Sequence, residues 1–254
     1  MNKKPIRVGL VGAGFMAKSH SNAYHTIPYI YHTEGYTPQL AMIAATSAEK
    51  AQSAAERYGY SRSCVGYKEI VESKDIDVVD ICVSDALHAE IALEAIRHGK
   101  HVICEKPLAL NRDDAREMRD AAKKAGVKAM CGFNYRFVSA VVLARNLIKS
   151  GRMGKVYHFN GSYLHESGYD PETPAERISY ARSEKGTGIS LNIGTHLIDM
   201  ARFLVGEITE VSWMLPTYNP MRNSQTGQVK VDKEEDMLAM VNFDNGATGL
   251  FRAS

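Results

Sequence analysis

No stretch of this sequence approaches the ~20 consecutive apolar residues that a membrane-spanning helix needs. It also lacks a basic block. The 31 Lys and Arg against 29 Asp and Glu leave a net charge of +2 with no clustered cations, so nucleic acid is not an expected partner. Cysteine is scarce: Cys64, Cys82, Cys104 and Cys131 stand singly, with no C-x-x-C pair. They read as small buried hydrophobes in a reducing compartment, which points to the cytoplasm. Repeats and low-complexity tracts are absent. The start, Met1-Asn2-Lys3-Lys4-Pro5, runs directly into the apolar Ile6–Val11, which reads as a first strand and not as a leader.

What is present suits two globular domains: 254 residues, 44% hydrophobic and 24% charged. The first half alternates short apolar runs with helical patterns, the signature of a parallel sheet flanked by helices. Strands are expected at Ile6–Val11, Leu40–Ala45, Val78–Val83, His101–Cys104 and Lys128–Gly132, with a shorter one near Cys64–Val65. Helices are expected at Ala48–Tyr58, Ala86–Arg97 and Asp113–Ala125, with Gly99 and Gly126 as stops.

The rhythm changes after Gly132, which sets the expected boundary between domains 1–132 and 133–254. A helix at Val138–Ser150, a strand at Lys155–Leu164 and a long loop from His165 to Thr187 are expected. An apolar helix follows at Ile189–Leu204, then strands at Ile208–Leu215, Leu238–Phe243 and Ala247–Ala253. Asn245-Gly246 is a hairpin turn. The last strand has nothing after it to cover its edge, so this second sheet is expected to be incomplete.

The turn Gly12-Ala13-Gly14-Phe15-Met16-Ala17 follows a strand and opens a helix, the context that a dinucleotide-binding Rossmann fold requires. The first glycine allows the tight turn, the second lets the backbone approach a pyrophosphate, and the small Ala17 lets helix and strand pack. After the second strand stand Thr46 and Ser47, where an acid that binds the adenosine ribose is usual. NAD and NADP both remain open, and Ser47 reads equally as a helix N-cap.

Ligands of open α/β sheets bind beyond the carboxyl ends of the strands. Lys106 leaves such an end after a strand expected to be buried, where partial desolvation would lower its pKa for proton transfer. Asn192, His196 and Asp199 recur at i, i+4 and i+7 and are expected on one helix face. His196 suits proton transfer, and it also suits a core histidine bonded to Asp199. His20, His25 and His32 are spaced poorly for a metal and read as packing or surface residues.

With Glu105-Lys106-Pro107 and Gly194-Thr195-His196-Leu197-Ile198-Asp199 added to the glycine turn, the sequence resembles the Gfo/Idh/MocA oxidoreductases. Leu87-His88-Ala89-Glu90 and Gly99-Lys100-His101-Val102 extend the resemblance. Phe133-Asn134-Tyr135-Arg136, Tyr163-Leu164 and His196 through Arg202 bring it toward a levoglucosan dehydrogenase-like branch.

The resemblance implies a Rossmann domain followed by an α+β domain with a mainly antiparallel sheet. It implies hydride transfer between a ring carbon of a sugar, anhydrosugar or polyol and nicotinamide, and homo-oligomers for full-length chains. In that scheme Lys106 polarises the reacting hydroxyl and His196 takes its proton. Gly12, Gly14, Phe15 and Met16 hold the phosphates of NAD or NADP, with Thr46 and Ser47 at the adenosine end. Ser84, His88 and Glu105 line the nicotinamide side, and Arg136, Tyr163, Asn192 and Asp199 meet the substrate with Lys106 and His196. No metal is expected. Asn192 departs from the family's usual Asp, and asparagine holds a hydroxyl without accepting its proton. That departure keeps a sugar-nucleotide 3-dehydrogenase and a non-catalytic nucleotide-binding regulator as alternatives.

Overall fold

The computed structural model describes residues 4–31, 35–166, 168, 170–178 and 187–254. They divide into two compact units, Met1–Gly132 and Phe133–Ser254.

The first unit alternates strands and helices: β1 (Lys4–Val11), α1 (Phe15–Ile30), β2 (Tyr36–Ala45), α2 (Ala48–Tyr58), β3 (Arg62–Val65), α3 (Lys68–Glu72), β4 (Val78–Ile81), α4 (His88–Arg97), β5 (His101–Cys104), α5 (Arg112–Ala125) and β6 (Ala129–Cys131). The strands form one parallel sheet in the order β3-β2-β1-β4-β5-β6. This is the Rossmann order, with its reversal beside β1, where a dinucleotide crevice opens.

Sheet burial explains the continuous apolar runs. Leu10 and Ile43 face one core layer with Ala17, Ala54 and Ala55, while Val79, Ile81 and Val102 face another with Ile91 and Ala95. Side chains fix the helix starts. Ser47 caps α2 by accepting from the Lys50 N–H, and Asn111 caps α5 by accepting from the Asp114 N–H at 2.9 Å. Asp113 and Asp114 in the first turn of α5 and Lys123 and Lys124 in its last complement the helix dipole.

The second unit holds α6 (Ser139–Lys149), β7 (His158–Tyr163), α7 (Thr195–Leu204), β8 (Ile208–Met214), β9 (Met221–Ser224), β10 (Gly227–Lys230), β11 (Met237–Phe243) and β12 (Thr248–Ala253). Its main sheet runs β7-β12-β11-β8, antiparallel except for the β12–β7 pair. Strict alternation along β11 and β12 buries Ala239, Val241, Phe243 and Phe251 in a core shared with Leu197 and Ala201 of α7. The β9–β10 hairpin is absent from the sequence reading because its strands are four residues long and polar.

The expected loop from His165 to Thr187 includes residues 167, 169 and 179–186, which lie outside the described residues, as does His32. Arg222, fully buried, anchors part of this loop. It donates to the carbonyls of Gly168 (2.7 Å) and Asp170 (3.0 Å) and pairs with Glu235 at 2.8 Å. Among the described residues no helix is long and apolar enough to cross a membrane.

Candidate active site

In the Rossmann unit, β1 ends at Val11 and the chain turns at Gly12 with φ +119°. A Cβ there would lie 2.3 Å from the Cys82 carbonyl oxygen, so both conformation and space demand glycine. Gly14 differs: a Cβ at Gly14 would meet no protein atom within 4 Å. Nothing in the fold requires its smallness, and the space above its backbone is open to a ligand. A groove of about 450 Å³ runs from there across the strand ends, lined by Gly12, Gly14, Thr46, Lys50, Tyr67 and Leu87 among others. The glycine turn, the adjoining helix N-terminus and this groove fit a dinucleotide.

The sequence-predicted cofactor residues divide here. Gly12, Gly14 and Thr46 line the groove, and Phe15 is 80% exposed at the start of α1. Met16 instead packs against the core beside Ala17 and Leu10. Ser47 is the α2 cap. Lys50 and Tyr67, which the sequence reading passed over, also line the groove. The signal for Lys50 was its place one turn past the N-cap that follows β2.

At the ends of β4 and β5 the expected nicotinamide-side residues take unequal places. Ser84 is exposed before a short turn at Asp85–Leu87. His88 is fully buried, with Nδ1 2.8 Å from the Pro107 carbonyl and Nε2 3.3 Å from the Val83 carbonyl. Its assignment to the cofactor is therefore corrected: the ring braces the chain on both sides of the strand ends. The Lys106-Pro107 peptide is cis. Lys106 is half-buried, and desolvation holds its ammonium below the usual lysine range against the pull of Glu105 and Asp85.

Glu105 is 6% exposed and folds back so that Oε2 accepts from the Lys106 N–H at 3.3 Å. A Cβ at Gly132 would sit 2.5 Å from Glu105 Oε1, so glycine there makes room for the carboxylate. The same oxygen lies 3.2 Å from His20 Nε2. The reading of His20 as a packing or surface residue is corrected. Its Nδ1 lies 2.9 Å from Asp80 Oδ2 and 3.5 Å from Cys82 Sγ, and the Tyr24 hydroxyl donates to Asp80 at 2.8 Å. His25 lies apart from this group, with Nε2 2.8 Å from the Tyr58 carbonyl.

In the second unit His196 sits in the first turn of α7 among aromatic rings. Its ring centroid is 4.7 Å from that of Tyr135 and 6.1 Å from those of Tyr163 and Phe133. The Tyr135 and Tyr163 hydroxyls are 2.9 Å apart. Tyr135 was visible only as part of a motif in the sequence. Asp199, 6% exposed, is held by Arg136, whose Nε donates at 2.8 Å and whose Nη2 also donates to it.

The expectation of one regular helical face for Asn192, His196 and Asp199 is also corrected. Ser190–Gly194 forms a wider π-type turn, so Asn192 precedes the α-helical register of the other two. Glu234 fixes the start of this turn: it accepts from the Ser190 N–H at 3.2 Å and from the Ser190 hydroxyl.

Both units match known family profiles. Residues 6–133 match "Oxidoreductase family, NAD-binding Rossmann fold", and residues 141–254 match "GFO/IDH/MocA C-terminal domain". The chain belongs to the Gfo/Idh/MocA oxidoreductase family. Levoglucosan dehydrogenase of Pseudarthrobacter phenanthrenivorans is 38% identical, over 98% of this chain and 67% of that protein. A 1,5-anhydro-D-fructose reductase of Ensifer adhaerens is 32% identical, over 96% and 68%. A structure of levoglucosan dehydrogenase in complex with NADH and levoglucosan superposes with TM-score 0.92 at 40% identity, covering 98% of this chain and 66% of that one. This Gfo/Idh/MocA chain thus spans about two thirds of the length of these relatives.

Proposed function

We propose that this chain belongs to an NAD(P)-dependent dehydrogenase that moves a hydride between nicotinamide and a ring carbon of a sugar, anhydrosugar or polyol. The observation that carries the reading lies within the Rossmann unit: an open glycine groove and a desolvated lysine amine at neighbouring strand ends. Oxidising a secondary alcohol needs a hydride acceptor, a proton acceptor and something to orient the hydroxyl. A bound nicotinamide supplies the hydride acceptor. Gly12, Gly14 and Phe15 hold its pyrophosphate, Thr46, Ser47 and Lys50 serve the adenosine end, and Ser84 borders the nicotinamide.

Lys106 donates to the reacting hydroxyl and polarises it. His196 takes the proton, and Asn192 holds a hydroxyl by hydrogen bonds. The Tyr135, Tyr163 and Phe133 rings around His196 offer the apolar faces on which the C–H side of a sugar ring stacks. Levoglucosan dehydrogenase and the anhydrofructose reductase support a carbohydrate substrate.

The deciding assay screens NAD and NADP against sugars, anhydrosugars and polyols, scored by reduced-cofactor absorbance. Binding of nucleotide without reduction of either cofactor by any of them would overturn the reading. Cys64, Cys82 and Cys104, buried without a disulfide, fit a cytoplasmic protein. The outer sheet face, with Met214, Met240 and Leu250 exposed, suits assembly with further copies, to be read by light scattering.

A further inference from the structure

His20 sits on α1, one turn and a half beyond the glycine turn, and is 19% exposed at its side chain. Its two ring nitrogens meet two different carboxylates. Nδ1 lies 2.9 Å and 3.1 Å from the two oxygens of Asp80, and Nε2 lies 3.2 Å from Glu105 Oε1. A carboxylate oxygen only accepts, so the ring satisfies both sides only when both nitrogens carry protons. The imidazolium is thus the cation that balances two carboxylates withdrawn from water, Asp80 at 0% and Glu105 at 6% exposure.

Every element packed around the ring contributes to this balance. Tyr24, on α1 itself, donates to Asp80, and Tyr60 raises no competing charge because burial and Asp80 hold its phenol protonated. Cys82 lies 3.6 Å from Asp80 Oδ1, and burial pushes its thiol up to about 12, so it contributes a neutral S–H. Beyond β5 stand Glu105 and Lys106. Burial pulls the His20 imidazole down, but hydrogen bonds with Asp80, Cys82 and Glu105 and the Asp80 charge outweigh it and raise it to about 12. His20, Asp80 and Cys82 also have the chemistry of metal ligands, with their donor atoms within 4.8 Å of one another. Here they satisfy one another by hydrogen bonds.

The far end of this chain of contacts is the Lys106 backbone. Glu105 spends one oxygen on His20 and the other on the Lys106 N–H, and Gly132 leaves it the room to do so. We infer that His20 is a positioning residue for Lys106: its imidazolium ties buried Asp80 to Glu105 and fixes that carboxylate against the Lys106 amide. The inference rests on the dehydrogenase reading only where it says what Lys106 is for. Loss of the imidazolium leaves the neighbourhood of Lys106 one charge more negative, which raises the proton affinity of its amine.

Two measurements test this without turnover. In parent protein with 15N-labelled histidine, both His20 ring nitrogens stay protonated through about pH 9, whereas titration near the ordinary value of about 6.5 overturns the proposal. The pH dependence of Lys106 acetylation, read by peptide mass spectrometry, gives the titration midpoint of the amine. It is expected to rise by roughly one pH unit in H20Q and to fall in E105Q, where an anion is lost. A purely structural histidine would leave the midpoint in place, and an unchanged midpoint in folded H20Q overturns the proposal. So does stoichiometric zinc in the purified protein. If H20Q does not fold, the imidazole measurement on the parent decides. An active parent adds a third readout: kcat of H20Q falls about tenfold with little change in KM for the cofactor. A parent with no activity would sink the dehydrogenase reading while leaving the His20 result standing.

Discussion

The guanidinium of Arg136 closes on the carboxylate of Asp199 through two nitrogens, Nε at 2.8 Å and Nη2, joining the turn after β6 to α7. Arg136 also stacks 5.2 Å over the Phe203 ring of the same helix. Two residues expected to meet substrate are therefore committed to each other. Asp199→Ala should lower the unfolding free energy by about 2 kcal/mol, because the buried carboxylate that Arg136 grips through two nitrogens is lost. Urea denaturation measures this, and a variant as stable as the parent would return Asp199 to the list of substrate contacts.

The two glycines of the cofactor turn should separate in their effects. Gly12→Ala forces a side chain into a left-handed backbone and against the Cys82 carbonyl, so it should cost about 2 kcal/mol or more. Gly14→Ala meets no protein atom and should fold like the parent. Its loss should appear only as weaker NADH binding, by about tenfold or more in fluorescence titration. Equal NADH affinity in Gly14→Ala would mean that the phosphates do not pass over that backbone.

Replacing Lys106 by Ala should lower kcat/KM at least about a hundredfold while NADH binding persists. The folded amine holds its proton less tightly than the unfolded one, because burial disfavours the charge. The unfolded chain therefore binds more protons in the window just below the ordinary lysine value, and stability there rises with pH through this group. Denaturant midpoints of Lys106→Ala and parent should draw apart, in the parent's favour, as pH climbs through that window.

For His20 the linkage has the opposite sign. Its folded pKa, raised to about 12, lies above the unfolded value of 6.5, so its contribution is complete below 6.5 and is lost progressively as pH rises toward 12. The stability gap between parent and H20Q should accordingly be wider at pH 6 than at pH 9, in urea unfolding at constant ionic strength. A gap that widens with pH would contradict a cationic His20.

Much of the Rossmann unit was readable because its burial is periodic. β1, β4 and β5 are apolar runs covered on both faces, and the helix α5 announces itself by Asn111, paired acids and paired lysines at its two ends. The turn at Gly12 was readable because its geometry admits so few side chains. The His20 cluster was not, since its partners stand 60 and 85 residues away, and local spacing to His25 and His32 carried no information about them. His88 stands near a strand end like a ligand-facing residue, yet its ring turns inward to two backbone carbonyls, and spacing cannot show which way a ring turns. The π-type turn before α7 escaped for a related reason: one additional residue in a helical turn leaves the apolar pattern almost unchanged.

Three successive residues after β5 are fastened in different directions. Glu105 is tied to α1 through His20, Lys106 has its amide under Glu105, and Pro107 offers its carbonyl to His88 of α4. The segment behaves as a tripod standing on two helices. An engineer who moves the Glu105-Lys106-Pro107 triplet into another sheet, or exchanges β5 with that of a relative, must carry the matching histidines of both helices with it. Transplanted alone, the lysine would arrive with its amine in place and its bearings missing.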